Sequence, residues 1–473
     1  MRLEECGHHF RNTFQAKDCY IHRKIGDSDV LICIGQNIAD FNGYIELNAT
    51  AALLWETLQE PSTASDLEQV LESNYDISHQ QAKEDILDFL KLLQRHDMVI
   101  IQRGGGTMPM TDTKMLKEMP KRIPVNGTFE LTVRCNLHCK MCLFRHDDSE
   151  NEEILQNELS AAQWIDMARQ AAEAGTLTLL ITGGEPMLRP DFCEIWEGIY
   201  KQGFLITLYT NATLVTDQII ETLRKFPPHK IGVTIYGARS ETYERVCGSA
   251  DAFQKALAGM HKLQELPSKM DFRTTIIKDN LSDLDDMCEL IHKEFGSHHK
   301  LIQTRIVTQS VRGACADVNQ CRLDPEENVR LSFHRGLKII KDFVGDSYDE
   351  KNLVFEQIDH STDSTIKPRL TLFGCNAGMS DYTISWDGQL LGCQMMGNFA
   401  ENAIKKGFLR AWKDFPKQVK LPPVNQKCLS CDSKDICNTC CASRYAETGD
   451  LGGCPEYVCR DTKVITELLN RRK

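Results

Sequence analysis

Three cysteines stand together in CNLHCKMC, at Cys135, Cys139 and Cys142, spaced C-x3-C-x2-C directly after the apolar run TFELTV. A structural zinc ion or a simple electron-transfer cluster takes four protein ligands, so a trio leaves one metal position open for something else. Three thiolates can hold three irons of a cubane and leave the fourth to an exchangeable ligand. A second run is denser. Cys375, Gly388 in SWDG and Cys393 precede Cys428-x2-Cys431-x5-Cys437-x3-Cys441, with Cys459 after a gap; Cys440 adjoins Cys441, and Cys454 precedes Cys459. Nine of the 20 cysteines lie between 375 and 459. A disulfide framework suits a small secreted domain, not a chain of 473 residues, so metal or iron–sulfur ligation explains them better. Cys6, Cys19, Cys33, Cys193, Cys247 and Cys288 have no metal spacing and read as ordinary buried thiols.

The elements that must position these groups alternate in type. From Thr128 to about Val307, β-type runs (TFELTV, LTLLIT, FLITLY, KIGVTIY, FRTTII, LIQTRIV) are separated by amphipathic stretches such as AAQWIDMARQAAEAG. Six βα units imply an α/β fold: a parallel sheet with right-handed crossovers, curled into a partial (β/α)6 TIM-type barrel. Functional groups in such folds gather at the C-terminal ends of strands, which is where the first cysteine trio falls. ITGGEP (Ile181 to Pro186) ends the second strand, TLYTNAT the third and VTIYG the fourth.

Ahead of the barrel, residues 1–102 read as a winged-helix-like α+β unit: a hairpin turning at Gly26-Asp27-Ser28, then three helices and a closing strand, MVII. Asn48 caps the first helix, and Ser65 with Glu68, and Ser78 with Gln81, fit capping boxes. Residues 103–122 form a linker, 123–310 the barrel, 311–370 a helical connector and 371–473 the cysteine-rich region. A chain of this length holds two to three domains, since single cores stop growing near ~250–300 residues. No apolar run approaches the ~18–20 residues of a membrane span. MRLEECGHHFRNTF lacks a signal-peptide pattern, which places the chain in the cytoplasm. A net charge of −12 argues against nucleic acid as partner.

With C-x3-C-x2-C, GGEP and the later strand ends in this order, the barrel resembles the radical S-adenosylmethionine (SAM) enzymes. The resemblance implies that Cys135, Cys139 and Cys142 carry a 4Fe–4S cluster whose open iron takes the amino and carboxylate groups of SAM. One electron then cleaves the sulfonium to a 5′-deoxyadenosyl radical. Gly183, Gly184, Glu185 and Pro186 match the motif at the methionine amino group, where small residues let backbone approach the ligand. Asn211 occupies a T-N-G-like position, Thr234 replaces the usual Ser at the ribose, and Arg245 fits the carboxylate-binding arginine. No residue is assigned as catalytic.

The second cysteine run is similar to the SPASM domain of peptide-modifying members, which carries two auxiliary 4Fe–4S clusters, making three in all. By position, Cys428, Cys431, Cys437 and Cys459 would ligate the outer one and Cys375, Cys393 and Cys441 the inner one. Fully ligated members have a further cysteine where this chain has Arg369. Cys454, Cys440, Cys321 or Cys315 would complete the inner cluster, or one iron is open to a substrate thiolate, as the likeness to thioether-forming maturases suggests. Gln394 replaces the Asp of sulfatase-maturing members, which counts against that activity.

LNATAALLW, within YIELNATAALLWETLQ, resembles the PqqD-type peptide chaperone of pyrroloquinoline quinone biosynthesis, or RiPP recognition element. There a precursor's leader adds as a strand to an exposed sheet edge, here expected around Val30 to Ile34, against the helix at about 82–95. Trp55, Leu58 and Leu90 are assigned to the core. Together these resemblances imply a maturase that binds the leader of a ribosomally made precursor peptide and installs an intramolecular crosslink, with a Cys thioether to carbon as first choice. Carbon–carbon or ether crosslinking, and epimerisation, are rivals within the class. A flavodoxin- or ferredoxin-type electron donor is implied as a second partner. The rival of another class is a non-catalytic peptide-binding scaffold whose metals are structural zinc, with His138 or His146 completing the first trio. It explains neither GGEP nor the six βα units.

Overall fold

The computed structural model describes residues 13–17, 20–26, 28–33, 44–95, 98–102, 122–142, 148–306, 309, 312, 318–333, 372–373, 375–423, 425–437 and 439–470. Most of the predicted linker and connector, together with Cys315, Arg369 and His146, lies outside them. A helix begins at Pro325, where the side chain of Asp324 accepts the Glu326 amide at 3.0 Å.

Six parallel strands run in sequence order through the centre: β7 (Asn126–Glu130), β8 (Thr178–Thr182), β9 (Leu205–Thr210), β10 (Lys230–Thr234), β11 (Lys269–Ile276) and β12 (Leu301–Arg305). These are the six strands the sequence pattern predicts, the first beginning two residues earlier and the fifth three. Helices α5 (Ala161–Glu173), α6 (Phe192–Tyr200), α7 (Asp217–Lys225), α9 (Ala252–Gln264) and α10 (Leu284–Phe295) cover the outer face. Strand alternation sorts the side chains. In β11, Phe272 packs outward against Phe295 of α10, with ring centroids 4.7 Å apart, so Arg273 projects from the opposite, inner face.

The cysteine-rich region does not stand apart from this sheet. β13 (Asp381–Ile384) pairs in parallel with β7, and β14 (Gln389–Cys393) and β15 (Met396–Asn402) follow antiparallel, giving nine strands. Close packing explains the glycine in β7. A Cβ at Gly127 would lie 2.5 Å from the Tyr382 hydroxyl, which crosses the strand to meet Thr176 Oγ1 at 2.9 Å.

The N-terminal unit contains two small sheets, β5-β1-β6 and β2-β3-β4, built from β1 (Thr13–Ala16), β2 (Tyr20–Ile25), β3 (Ser28–Cys33), β4 (Tyr44–Leu47), β5 (Ser62–Thr63) and β6 (Val99–Gln102). Between them lie α1 (Ala49–Thr57), α2 (Ala64–Asn74) and α3 (His79–Arg95). Asn48 caps α1 as predicted, its side chain accepting Ala51 N at 2.8 Å. Ser78 likewise accepts Gln81 N at 3.2 Å at the start of α3. The box of α2 sits two residues before the predicted one: Thr63 and Asp66 bond reciprocally, because the helix starts at Ala64. Trp55, Leu58 and Leu90 are buried in the core.

One expectation is corrected. The strand around Val30 is not an edge: β3 is bonded to β2 on one side and β4 on the other. Among the described residues β4 pairs with β3 alone and is the outer strand. The opposite strand, β2, is docked on the barrel. Ile25, Val30 and Ile32 share an apolar cluster with Val125, Leu177 and Leu205 at the N-terminal ends of the barrel strands. Arg23 reaches past them to the carbonyls of Gln202 at 2.7 Å and Thr176 at 2.9 Å, and burial lowers its pKa to about 10. No helix among the described residues is long and apolar enough to cross a membrane.

Candidate functional site

The loop after β7 carries the first trio and is pinned to α8 (Ser240–Cys247) by backbone bonds. His138 N donates to Cys247 O and Lys140 N to Val246 O, each at 3.0 Å. Cys139 is buried, and Cys135 and Cys142 are half-buried. Burial first, then the nearby Glu185, Cys139 and Cys142, pushes the Cys135 thiol well above its ordinary range. Cys139 is raised by the Cys247 thiol against it and by burial, while the Tyr236 hydroxyl works the other way. Thiols so placed ionise only when a metal supplies positive charge, and three cysteines on one such loop suit a cluster. Cys247, read from sequence as an ordinary thiol, proves to be this neighbour; its own hydrogen is donated to Tyr243 O at 3.0 Å. His138 turns outward to Asp148, at 2.9 Å. Among the described residues no three His, Cys, Asp or Glu side chains close to the spacing of a single metal ion.

The GGEP segment is held against this loop. A Cβ at Gly183, with φ +133°, would lie 2.1 Å from Thr132 O, and one at Gly184 2.2 Å from Arg134 O. The glycines are therefore required by the approach of β8's end to β7's end. Glu185 is fully buried and turns inward, accepting from Met187 N at 3.0 Å, Thr210 Oγ1 at 2.9 Å and Asn211 N at 2.8 Å. Desolvation outweighs those bonds and raises its pKa to about 7. Its carboxylate clamps β8 to β9, and the backbone of the motif is what faces the cysteine loop. Asn211 follows β9, its Nδ2 3.8 Å from Cys135 Sγ and 3.1 Å from Asn136 Oδ1. Thr234 ends β10, half-buried. Arg245 lies exposed on α8, donating to Thr242 Oγ1 at 2.9 Å and to Asp279 O at 3.2 Å.

Two inner-face groups escaped the sequence reading. Arg273 lies over the Tyr209 ring, 4.5 Å from its centroid, and donates to the Tyr209 hydroxyl, while its Nε is buried without a partner. Glu130, fully buried, takes a two-pronged bond from Arg312 at 2.9 and 2.7 Å; Arg312 Nη1 also donates to Gln394 O at 2.9 Å. The pair ties the barrel interior to the residue after Cys393. A charge inside a strand pattern was the available signal, and it is a weak one. A cavity of about 410 Å³ opens beside this junction, lined by Thr128, Leu180, Thr207, Cys393, Gln394 and Met395 among others.

Farther out, Cys428, Cys431, Cys437 and Cys459 line a second cavity of about 410 Å³, and Cys454 joins them, its sulfur 3.5 Å from that of Cys459. Burial opposes ionisation of Cys428, but Arg444, donating to its sulfur at 3.2 Å, prevails and holds its pKa below the ordinary thiol value. A cationic donor on a thiol suits a cluster ligand. Burial raises the thiols of Cys393 and Cys441, and charge on Cys440 and Cys375 adds to it in both.

Residues 129–291 match the family model of the radical SAM superfamily, and residues 36–99 that of Coenzyme PQQ synthesis protein D (PqqD). The AdoMet-dependent heme synthase of Methanosarcina barkeri is 27% identical over 68% of this chain and 92% of its own length. The antilisterial bacteriocin subtilosin biosynthesis protein AlbA of Bacillus subtilis is 25% identical over 85% of this chain and 86% of its own. Among solved structures, Streptococcus suis SuiB bound to S-adenosylmethionine matches at TM-score 0.55 and 18% identity, covering 94% of this chain and all of that one. SuiB bound to precursor peptide SuiA matches at TM-score 0.56 and 16% identity, over the same shares of the two chains. With the cysteine trio, the glycine pair and Asn211 gathered at the strand ends of the matched segment, the barrel matches the radical SAM superfamily, and a PqqD-like domain lies ahead of it.

Proposed function

We propose that this chain matures a ribosomally made peptide, binding the precursor's leader on the N-terminal domain and installing an intramolecular crosslink, a Cys thioether to carbon, in its core. The observation that carries the reading is the PqqD-type domain joined to a radical SAM barrel in one chain. The relative in subtilosin biosynthesis and the SuiB complex with its precursor peptide support it.

A 4Fe–4S cluster with SAM supplies, when bound, a radical able to abstract hydrogen. The residues of this chain do the rest. Cys135, Cys139 and Cys142 hold the cluster. The backbone of Gly183–Pro186, Asn211, Thr234 and Arg245 orient SAM, and Glu185 keeps two strand ends in register. The inner face of the barrel at the strand ends, beside Asn211, receives the core residue, and the Glu130–Arg312 pair ties the barrel interior to the C-terminal region. A crosslink removes two hydrogens, one as an atom and one as a proton, with an electron left over. The C-terminal cysteine sets, which would hold two auxiliary clusters, are the acceptor this reading assigns to that electron. A flavodoxin- or ferredoxin-type protein supplies the first electron. The leader adds to the outer edge of β4, Tyr44–Leu47, which among the described residues pairs with β3 alone, in the manner of strand addition.

High-resolution mass spectrometry of a precursor peptide coexpressed with the chain tests this. Loss of two hydrogens per site, with fragmentation blocked between a cysteine and its acceptor, is the expected result. The same loss without cysteine means carbon–carbon or ether crosslinking. Unchanged mass with deuterium uptake from heavy water means epimerisation. A tetrapyrrole substrate is the second reading, favoured by the heme synthase likeness. That match leaves about a third of this chain uncovered. An unaltered peptide, with haem formed from a porphyrin precursor, would establish it instead.

A further inference from the structure

We infer that the exposed face of residues 403–420 is a docking surface for an acidic one-electron carrier protein, which takes up there the electron released by crosslinking. The inference rests on the proposed function for two things: the assignment of the C-terminal cysteine sets to iron–sulfur clusters, and a flavodoxin- or ferredoxin-type partner. Within AIKKGFLRAWKDFPKQVK the exposed side chains include Lys405, Lys406, Arg410, Lys413, Lys417 and Lys420, and none of the exposed ones is acidic. The whole chain carries a net charge of −12, so this face opposes its sign. Ile404 and Leu409 stand among the cations, 37% and 48% exposed.

Two buried carboxylates neutralise part of this charge. Asp414 takes Lys417 at 2.7 Å and Arg410 at 2.8 Å, and Glu401 takes Lys406. Among the described residues Lys405, Lys413 and Lys420 have no acidic partner. Six cations against two carboxylates leave a surplus of four. On α5, which packs alongside through the bond from Phe408 N to Gln170 Oε1, Asp166 and Glu173 are both held by Arg169. The face is also rigidly seated. Phe408 and Trp412 turn inward onto Tyr382, with ring centroids 4.9 and 5.9 Å away.

What lies behind the face selects the partner. A Cβ at Gly392 would lie 2.7 Å from Phe415 Cζ, and Gly392 immediately precedes Cys393. The basic segment thus backs on the strand that carries a cysteine of the inner set. An electron carrier need only arrive, exchange and leave, so a small contact steered by charge suits it. Redox encounters of this kind bury less than ~1,200 Å², and complementary fields raise association rates by ~10–1,000-fold. Two exposed apolar side chains serve such a contact. They are too few for insertion in a membrane, because the other side of these helices is already packed on the core. The carrier docks oxidised and leaves reduced by one electron, the cluster being oxidised by one; no bond forms or breaks.

The test uses the full chain, reconstituted anaerobically, with Lys405→Glu, Lys413→Glu and Lys420→Glu combined. These three lysines pair with neither Asp414 nor Glu401, so the ion pairs below them stay intact. A second variant changes the same three to Arg. An acidic flavodoxin is the probe: each chain is reduced with dithionite and desalted, and stopped-flow absorbance follows formation of the flavodoxin semiquinone at low and high salt. The parent rate should fall as salt rises. The Glu variant should be about 10-fold slower or more at low salt and almost insensitive to salt, while the Arg variant matches the parent. A Glu variant as fast as the parent overturns the inference, and so does a parent rate independent of salt. Flavodoxin reduction unchanged in the Glu variant, with binding to phosphatidylglycerol vesicles or to single-stranded DNA lost, overturns it in favour of a membrane or a nucleic acid. Mass spectrometry of the precursor treated with dithionite-reduced parent tests the proposed function separately, since no carrier takes part in that reaction.

Discussion

Gly259 sits inside α9, where replacing glycine by alanine ordinarily stabilises a helix by ~1 kcal/mol. Here the sign should reverse. A Cβ at Gly259 would lie 1.9 Å from Ala212 O and 3.1 Å from Val215 Cγ2. A comfortable C···O contact is ~3.3 Å, so the loop after β9 would have to retreat by more than ~1 Å. That loop cannot yield freely. Ala212 sits at φ +60°, its amide held by Thr210 Oγ1 at 3.0 Å, and Asn211 Oδ1 holds Thr213 N at 2.9 Å. Overpacking costs ~1–3 kcal/mol, and a backbone carbonyl as the obstacle puts this case at the upper end. Subtracting the helix gain leaves Gly259→Ala about 2 kcal/mol less stable. Because Asn211 moves with the loop, SAM affinity should fall tenfold or more, the equivalent of one hydrogen bond to a charged ligand at ~1.5–3 kcal/mol. The assay pairs urea unfolding of the cluster-free chain with equilibrium dialysis of SAM on the reconstituted one. Gly397→Ala, with nothing within 4 Å of its Cβ, is the neutral control. A Gly259→Ala chain as stable as the parent, with unchanged SAM binding, would refute the reasoning.

Arg273→Ala should weaken SAM or peptide binding more than Arg245→Ala, because its buried Nε awaits an acceptor whereas Arg245 is solvated; titration calorimetry of both variants separates them. Arg312→Ala strands the Glu130 carboxylate and should cost ~3–5 kcal/mol in urea unfolding, whereas the double change Glu130→Gln, Arg312→Met should recover most of it. Replacing Cys135, Cys139 and Cys142 together should remove about a third of the iron, measured by elemental analysis, if the three sets each hold one cubane.

Much of the fold was legible because it repeats: six apolar runs alternating with amphipathic ones leave little besides a parallel barrel. The cysteine trio and GGEP were legible for a similar reason, since their types and order are unusual. What stayed hidden depends on contacts between distant segments. Nothing near Val30 shows that Tyr44–Leu47 will pair beside it and take over the edge. The capping box at Thr63 and Asp66 was missed because Ser65 and Glu68 satisfy the same pattern two residues on. The glycines of GGEP were attributed to a ligand, yet the carbonyls of Thr132 and Arg134 already exclude a Cβ. Glu130 and Arg312 meet across 182 residues of chain, and Arg273 differs from any surface arginine only in which way its strand faces.

The arrangement of the two functional ends constrains how a peptide would be handled. The N-terminal domain is anchored at Leu177 and Leu205, where barrel strands begin, while the cysteine loop and Gly183–Pro186 lie where they end. From Leu177 to Gly183 the strand rises ~3.3 Å per residue, or about 20 Å. A leader bound on β4 therefore cannot place the adjoining residue at the site. An extended chain covers at most ~3.3–3.6 Å per residue, so about six residues must separate the bound leader from the first modified position. Precursor variants with shorter spacers should still bind, by fluorescence anisotropy of a labelled leader, yet emerge unmodified by mass spectrometry. Modification surviving a two-residue spacer would mean that the N-terminal domain leaves its seat on Arg23 during the reaction, and the docked arrangement would then be a resting state.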